Sequence, residues 1–291
     1  MFVLAHLSDP HLAPLPEPTW RELMGKRATG YLNWQRKRRL LHRSDILSKV
    51  VADLKGRKPD HIIVTGDLIN IALAAEYAPA RAWLASLGSP ENVSVVPGNH
   101  DVYVRAAQPH VHWDDYMRGD EIGDVGFPFL RRRGAVALIG VSSAVPCPPF
   151  TATGMVGEAQ IERLAALLEA SGREGLFRVV AIHHPPTSSR KSHFKRLIDG
   201  ARLRNTLARH GAELVIHGHD HISSYVLLKG PHRPIPVIGV ASASEVSALS
   251  PAGYNLYRIV AEDGTYTCEM IARALSKDEQ IMTDVQRVQL I

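Results

Sequence analysis

Five short apolar runs in this chain each stop at a motif of aspartate, asparagine or histidine, and that repeated junction narrows the architecture it can adopt. Val3–Leu7 leads into Asp9-Pro10-His11, His61–Thr65 into Gly66-Asp67, and Val93–Val96 into Gly98-Asn99-His100-Asp101. Leu176–Ile182 leads into His183-His184-Pro185, and Leu214–His217 into Gly218-His219-Asp220-His221. Short apolar runs bounded by Gly, Pro and polar residues read as buried strands. Between them, Ser44–Leu54 and Ala72–Leu87 repeat apolar residues at helical spacing, with Ser44 the expected N-cap. Ala135–Val141 reads as a further strand, and Glu158–Ala170 and Ala201–His210 as helices. Strands alternating with helices predict α/β architecture with crossover connections. Ligands in such folds gather at the carboxyl ends of the strands, so motifs far apart in sequence are expected to converge there.

After His221 the texture changes. Tyr225–Leu228, Pro236–Val240, Asn255–Val260 and Tyr266–Ile271 read as strands joined by Gly, Pro and Asp-Gly turns, and a β-rich C-terminal portion is expected to complete a second sheet. One domain over residues 1–275 is expected, with an insert at about 12–43 after the first strand and a tail, 276–291, whose structure the pattern leaves open. The 291 residues are 45% hydrophobic and 22% charged, as in an ordinary globular protein. Cys147 and Cys268 stand far apart and outside any CxxC pattern, which argues against a disulfide framework or a thiolate metal site and fits a reducing compartment. No apolar run approaches the roughly 20 residues needed to cross a bilayer, and Met1–Asp9 lacks a basic leader, so a cytoplasmic protein is expected.

The motifs carry a metal chemistry. On extended backbone Asp9 and His11, two apart, project to the same side and could hold one ion between them. Asp67 offers two oxygens that can bridge a pair of cations. Asn99 adds an amide oxygen, while Gly98 would let the backbone approach closely and His100 stand over a substrate. His183, His219 and His221 add imidazoles. Carboxylate with imidazole suits two divalent ions of Mn, Fe, Zn or Co without choosing among them. Two adjacent cations clamp the attacking and leaving oxygens in displacement at phosphorus, which points to phosphoester hydrolysis. Singly, each residue also has an ordinary explanation: Asp9 or Asp101 as a cap, a strand-end histidine as a packed core residue. His184 and His217 read as packing or support beside neighbouring ligands. His6, His42, His61, His110, His112, His193, His210 and His232 lack a motif, although His110, His112 and His193 lie in loops that could approach the cleft.

This ordered set resembles the calcineurin-like metallophosphoesterase superfamily, including its class III cyclic-nucleotide and glycerophosphodiester phosphodiesterase branch, over Asp9–His221. The resemblance implies a four-layer α/β/β/α sandwich. It assigns one metal to Asp9, His11, Asp67 and His221 and a second to Asp67, Asn99, His183 and His219, with Asp67 shared. It makes His100 the group that contacts the phosphate and assists the leaving oxygen, with Asn99 also binding substrate. Asn70 stands where the family often has an acid that orients this histidine; an amide can accept a hydrogen bond but holds no negative charge. The implied function is a phosphodiesterase for cyclic nucleotides or glycerophosphodiesters, working by attack of a metal-bridging hydroxide. A peripheral-membrane phosphoesterase acting on a phospholipid or lipid pyrophosphate is the alternative, then a phosphomonoesterase or nuclease. Complete ligand motifs argue against a catalytically silent binding module.

Substrate choice is expected to be written in the insert. The basic charge is concentrated in its stretch from Arg21 to Arg43, where Arg21, Lys26, Arg27, Arg36, Lys37, Arg38, Arg39 and Arg43 face one acid, Glu22, a local excess of +7 in a chain of formal charge +5. Pro14, Pro16 and Pro18 precede Trp20, Tyr31 and Trp34. Basic side chains interleaved with aromatics suit an anionic partner: a lipid headgroup surface, a polynucleotide or a small phosphate-bearing molecule. A solvated helical lid with its tryptophans packed on the body is the simpler reading. The chain carries no recognised nucleic-acid module, and its oligomeric state is left open.

Overall fold

In the computed structural model, residues 1–107, 112–120, 126–187, 193–247, 250–262, 264–278 and 281–291 are described. The first strands form where the apolar runs predict them: β1 (Phe2–Leu7), β2 (His61–Val64) and β3 (Val93–Val95) pair in parallel. Parallel neighbours need crossovers, which α3 (Ser44–Gly56) and α4 (Ala74–Leu87) supply. The cap of α3 falls on Arg43 rather than Ser44, because the Arg43 N–H is held by the Ser244 carbonyl at 3.0 Å and its extended backbone ends the insert there. The antiparallel strands β10 (Gly253–Glu262), β11 (Thr265–Leu275) and β12 (Met282–Gln289) extend the sheet beyond β1, giving the order β12-β11-β10-β1-β2-β3. The segment whose structure was left open, from Ser276 on, therefore supplies an edge strand.

The second sheet has the order β4-β5-β6-β7-β9-β8. It comprises β4 (Phe129–Arg133), β5 (Val136–Val141), β6 (Phe177–Ile182), β7 (Leu214–His217), β8 (Ser224–Leu228) and β9 (Ile235–Gly239). β4 is a strand that no apolar run marks: beside buried Phe129 and Leu130 it carries Arg131, whose buried guanidinium donates to the carbonyls of Arg118, Val93 and Asp115.

Alternation along the strands sets the layers. Leu4, Ile63, Phe177, Val179, Leu214 and Ile216 point between the sheets and form a shared core with Tyr257 and Ile259. Ala5, Leu7, Ile62 and Val64 point the other way, onto Ile46, Val50 and Leu54 of α3 and Leu84 of α4. Val180, Ile182 and Val215 meet Leu164 and Leu168 of α5 (Glu158–Arg173) and Leu203 and Leu207 of α6 (Gly200–His210). Both faces of each parallel strand are thus buried, as parallel sheets require. The result is a single α/β domain of two mixed sheets between helical layers.

The insert leaves β1 at the cleft. It forms α1 (Lys26–Asn33), a π-helical turn Trp34–Arg38 and a short α2 (Arg39–Leu41), then docks by Val246 N–H to the Leu41 carbonyl at 2.8 Å.

Candidate metal centre

All seven residues expected as metal ligands meet at the carboxyl ends of β1, β2, β3, β6 and β7. Ligand atoms of Asp9, His11, Asp67 and His221 lie within 4.8 Å of one another. Beside them, His183 Nε2 lies 3.5 Å from Asp67 Oδ2, 3.3 Å from Asn99 Oδ1 and 3.2 Å from His219 Nδ1. Asp67 Oδ2 also lies 3.7 Å from His11 Nε2, so one carboxylate oxygen stands between the two groups.

The backbone that achieves this is turned, where extended geometry was expected at Asp9 and His11. Asp9 (φ 52°), His11 (φ 40°), Asp67 (φ 56°), His219 (φ 70°) and His221 (φ 54°) are all left-handed, a region costly for residues with a Cβ. Such strain concentrates where surrounding structure over-determines the backbone. Around Asp67 two buried carboxylates do that work. Asp101 accepts the N–H groups of Asp67, Leu68 and Gly98 at 2.8–2.9 Å, with Ile69 at 3.2 Å. Glu76 takes over along the same loop, accepting from Asn70, Ile71 and Leu73 at 2.6–3.2 Å. Asp101 is thus a clamp on the loop that carries Asp67. Gly98 is required by close approach, since a Cβ there would overlap the Asp67 carboxylate.

Each imidazole is oriented from outside the cluster. Carbonyl oxygens only accept, so Nδ1–H of His11 donates to Ile69 O (3.3 Å), Nδ1–H of His183 to Thr65 O (2.6 Å) and Nε2–H of His219 to Lys195 O (3.0 Å). His221 Nδ1 is held by the Glu245 carboxylate. The other nitrogen of each ring faces inward, the arrangement by which outer partners fix the tautomer of a metal-binding histidine. The carboxylates follow the same pattern. Asp9 Oδ2 accepts the His219 N–H at 3.0 Å and Asp67 Oδ1 the His100 N–H at 2.8 Å. Asp9 Oδ1 is buried with no hydrogen bond among the described residues, although His221 Nε2 stands 3.2 Å away.

These inward atoms form a donor set suited to divalent cations of intermediate softness. Protons otherwise balance the charge. Burial opposes a charged His183, yet Asp67 overrides it and raises the ring to about 10; Asp9 and Glu245 likewise raise His221 to about 9. A cation would displace these protons, as ligation requires. Burial holds His11 and His219 well below the ordinary range.

His100 lies beside this cluster, its ring 4.9 Å from that of His11 and stacked on Tyr103 at 5.4 Å. Its Nδ1–H donates to the main-chain carbonyl of Asn70. The Asn70 side chain turns away, donating to Leu12 O at 2.9 Å, with Oδ1 buried and unpartnered among the described residues. Orientation of His100 therefore comes from the Asn70 backbone.

Several neighbours carried no signal in the sequence. His42, set aside for want of a motif, is buried with its ring 4.4 Å from that of His11, and groups with His11 and His221. Glu245 follows β9 in an unremarkable Ser-Ala-Ser-Glu stretch, and Arg38 was one basic residue among eight. His184 supports from outside, accepting from Ser143 Oγ at 2.8 Å and donating to Ala152 O at 3.1 Å. His217 is bonded to Gly218 O. His112 stacks on Tyr77, His193 lies two residues from Lys195, and His110 falls outside the described residues.

The model of the calcineurin-like phosphoesterase family matches residues 2–223, and the chain belongs to that family. It is 26% identical over 204 residues to a probable cyclic nucleotide phosphodiesterase of Rhodococcus erythropolis, covering 69% of this chain and 62% of the relative. It is 29% identical to the glycerophosphodiester phosphodiesterase GpdQ of Enterobacter lignolyticus, covering 47% and 46%. The chain thus spans less than two thirds of either relative's length. A dimetal phosphatase from Danio rerio shares the fold, with a TM-score of 0.66 at 14% identity over 99% of this chain and 98% of that one.

Proposed function

We propose that this protein is a metal-dependent phosphoester hydrolase whose substrates are phosphodiesters, with cyclic nucleotides and glycerophosphodiesters the leading candidates. The observation that carries the reading is the inward-facing donor set: four imidazole nitrogens each oriented by an outer oxygen, around two carboxylates that each leave one oxygen inward. Asp9, His11, Asp67 and His221 would hold one cation, and Asp67, Asn99, His183 and His219 the other. Bound divalent cations acidify water and neutralise charge on phosphoryl oxygens.

The remaining steps belong to the chain. Asp101 and Glu76 hold the Asp67 loop rigid, so the shared carboxylate needs no reorganisation during the reaction. His100, kept neutral by burial and then by Arg38 at about 3, turns Nε2 to the cleft. An anionic phosphoryl group beside it opposes that depression, which favours a protonated ring able to hydrogen-bond the leaving oxygen. Asn99 and His100 position the phosphoryl group, and the Asn70 carbonyl keeps the ring aimed. Diester over monoester rests on the relatives, a probable cyclic nucleotide phosphodiesterase and a glycerophosphodiester phosphodiesterase.

A metal-reconstituted panel of mono- and diester chromogenic phosphates, cyclic nucleotides, glycerophosphodiesters and phospholipids tests this, with His100→Ala expected to lose turnover at unchanged metal content. Monoester preference across the panel would overturn the diester assignment. The exposed face of the insert favours a second reading, a phosphoesterase that works at an anionic membrane. Trp20 (72% exposed), Met24 (67%) and Leu40 (69%) stand there among exposed Arg21, Arg36, Lys37 and Arg39. Absence of co-flotation with phosphatidylserine vesicles would remove it.

A further inference from the structure

Arg38, in the basic insert, turns into the cleft and bonds to two of its histidines. Its neighbours Arg36, Lys37 and Arg39 are exposed, whereas Arg38 donates from Nη2 to His11 Nε2 at 2.7 Å and from Nη1 to His100 Nε2 at 2.8 Å. Both rings give their other nitrogen's hydrogen to backbone carbonyls, Ile69 O and Asn70 O, so the nitrogens facing Arg38 are acceptors. A guanidinium is an unusual donor to two neutral imidazoles. Among the described residues its hydrogen bonds all go to these rings, while Asp67, Asp9 and Glu245 act on it only through their field. A half-buried cation without a bonded counter-charge is costly, and its planar fork matches two oxygens of a phosphoryl group.

The insert is built to deliver this side chain. Trp34, at the start of the π-helical turn that ends in Arg38, is buried, and such turns recur at functional sites. Arg27 ties α1 to Ile71 O at 3.1 Å and to Ala72 O, the loop that Glu76 clamps. Gly30 lets α1 approach Tyr103 so closely that a Cβ would meet its hydroxyl at 2.5 Å, and the Tyr103 ring in turn stacks on His100. Insert and catalytic histidine are thus packed through one aromatic ring.

We propose that Arg38 is the phosphoryl anchor of this site: when a phosphate ester enters, its Nη1 and Nη2 hydrogens pass from His100 and His11 to two phosphoryl oxygens. This releases His100 Nε2 toward the leaving oxygen and His11 Nε2 toward the cluster. The ligand class is any tetrahedral oxyanion of phosphorus, and the assignment rests on the phosphoester-hydrolase reading for its catalytic meaning only.

The test uses the full chain loaded with Mn and titrated with inorganic phosphate by calorimetry, beside steady-state kinetics and metal analysis. Arg38→Ala is expected to weaken phosphate binding by about tenfold to a hundredfold, the loss of one or two charge-assisted hydrogen bonds, and to raise KM, with two ions per chain retained. Arg38→Lys, which keeps the charge and loses the fork, is expected between Arg38→Ala and wild type and guards against a folding defect in the alanine variant. Lys229→Ala, an exposed lysine just past the end of β8, is expected to match wild type. Equal phosphate affinity in wild type and both Arg38 variants overturns the proposal. So does a variant that binds Mn more tightly at unchanged phosphate affinity, which would make Arg38 a competitor for the metal ligands. If wild type binds phosphate through Arg38 yet hydrolyses no ester, the anchor stands and the hydrolase reading falls.

Discussion

The neighbouring strands β6 and β7 carry ionisable residues at both ends, and the two ends treat them oppositely. At the amino end, Glu213 accepts from Arg178 Nε and Nη2 at 2.8 Å each and from the Arg178 N–H at 2.7 Å. The remaining guanidinium nitrogen, Nη1, donates to Leu168 O and His210 O. Every charge is matched within the chain. At the carboxyl end, His183 and His219 turn nitrogens toward each other at 3.2 Å, and nearby Asp9 Oδ1 is left without a hydrogen bond among the described residues. Buried charge that is fully paired holds a fold together; buried charge that is oriented but underpaired is poised for something that binds.

Four substitutions probe that contrast. The largest effect is expected from Asp67→Ala, which removes the oxygen standing between both ligand groups: turnover should fall by at least about a thousandfold with loss of bound metal. Full metal content with ordinary turnover would break the functional half of the comparison. Glu213→Gln should do the reverse, lowering unfolding free energy by about 3 kcal/mol through the uncompensated Arg178 while metal content and kcat stay at wild-type values. Burial alone would raise Glu213, but Arg178 outweighs it and holds the carboxyl below 4.5. Its contribution is therefore present above the ordinary carboxylate range and lost as pH falls through the lower folded value; denaturant midpoints between pH 6 and about 3 should drop more steeply in wild type than in Glu213→Gln.

Glu245→Gln removes the charged partner of His221 Nδ1 and should weaken metal affinity or activity by about ten- to a hundredfold. An unchanged affinity measured by competition with a chelator would show that His221 needs no such support. The smallest effect is expected from Asn70→Ala. With the carbonyl orienting His100, turnover should change by less than about tenfold, and a larger loss would return the orienting role to the side chain.

Different residues were legible to different degrees. Strands β1, β2, β6 and β7 could be read because both their faces are apolar, and a short apolar run ending in a polar motif leaves little choice. Strand β4 was hidden because Arg131 satisfies its guanidinium on carbonyls, which only folded neighbours provide. Strand β12 was hidden by a largely polar, exposed pattern at the sheet edge. The ligand types were legible as motifs, but the left-handed backbone at Asp9 and His11 was not. It is held by partners far along the chain: the Asp9 and His11 N–H groups donate to the carbonyls of Gly66 and Asp67, and Ser242 Oγ donates to the Asp9 carbonyl. Asn70 was noticed for the wrong group: its side chain drew attention, while its carbonyl makes the contact.

What the sequence by itself determined is chemistry and layering. Short apolar strands, helical crossovers and the order of Asp, Asn and His motifs follow from residue type and spacing, because burial and ligand chemistry are properties of the side chain. What only the tertiary structure decided is direction. Which nitrogen of each histidine faces inward, which carboxylate oxygen is left over, and that Arg38 turns into the cleft while its neighbours Arg36, Lys37 and Arg39 stay exposed depend on oxygens and rings contributed by distant loops. Hydrogen bonding is satisfied pair by pair across the folded chain, and no local pattern encodes the partner.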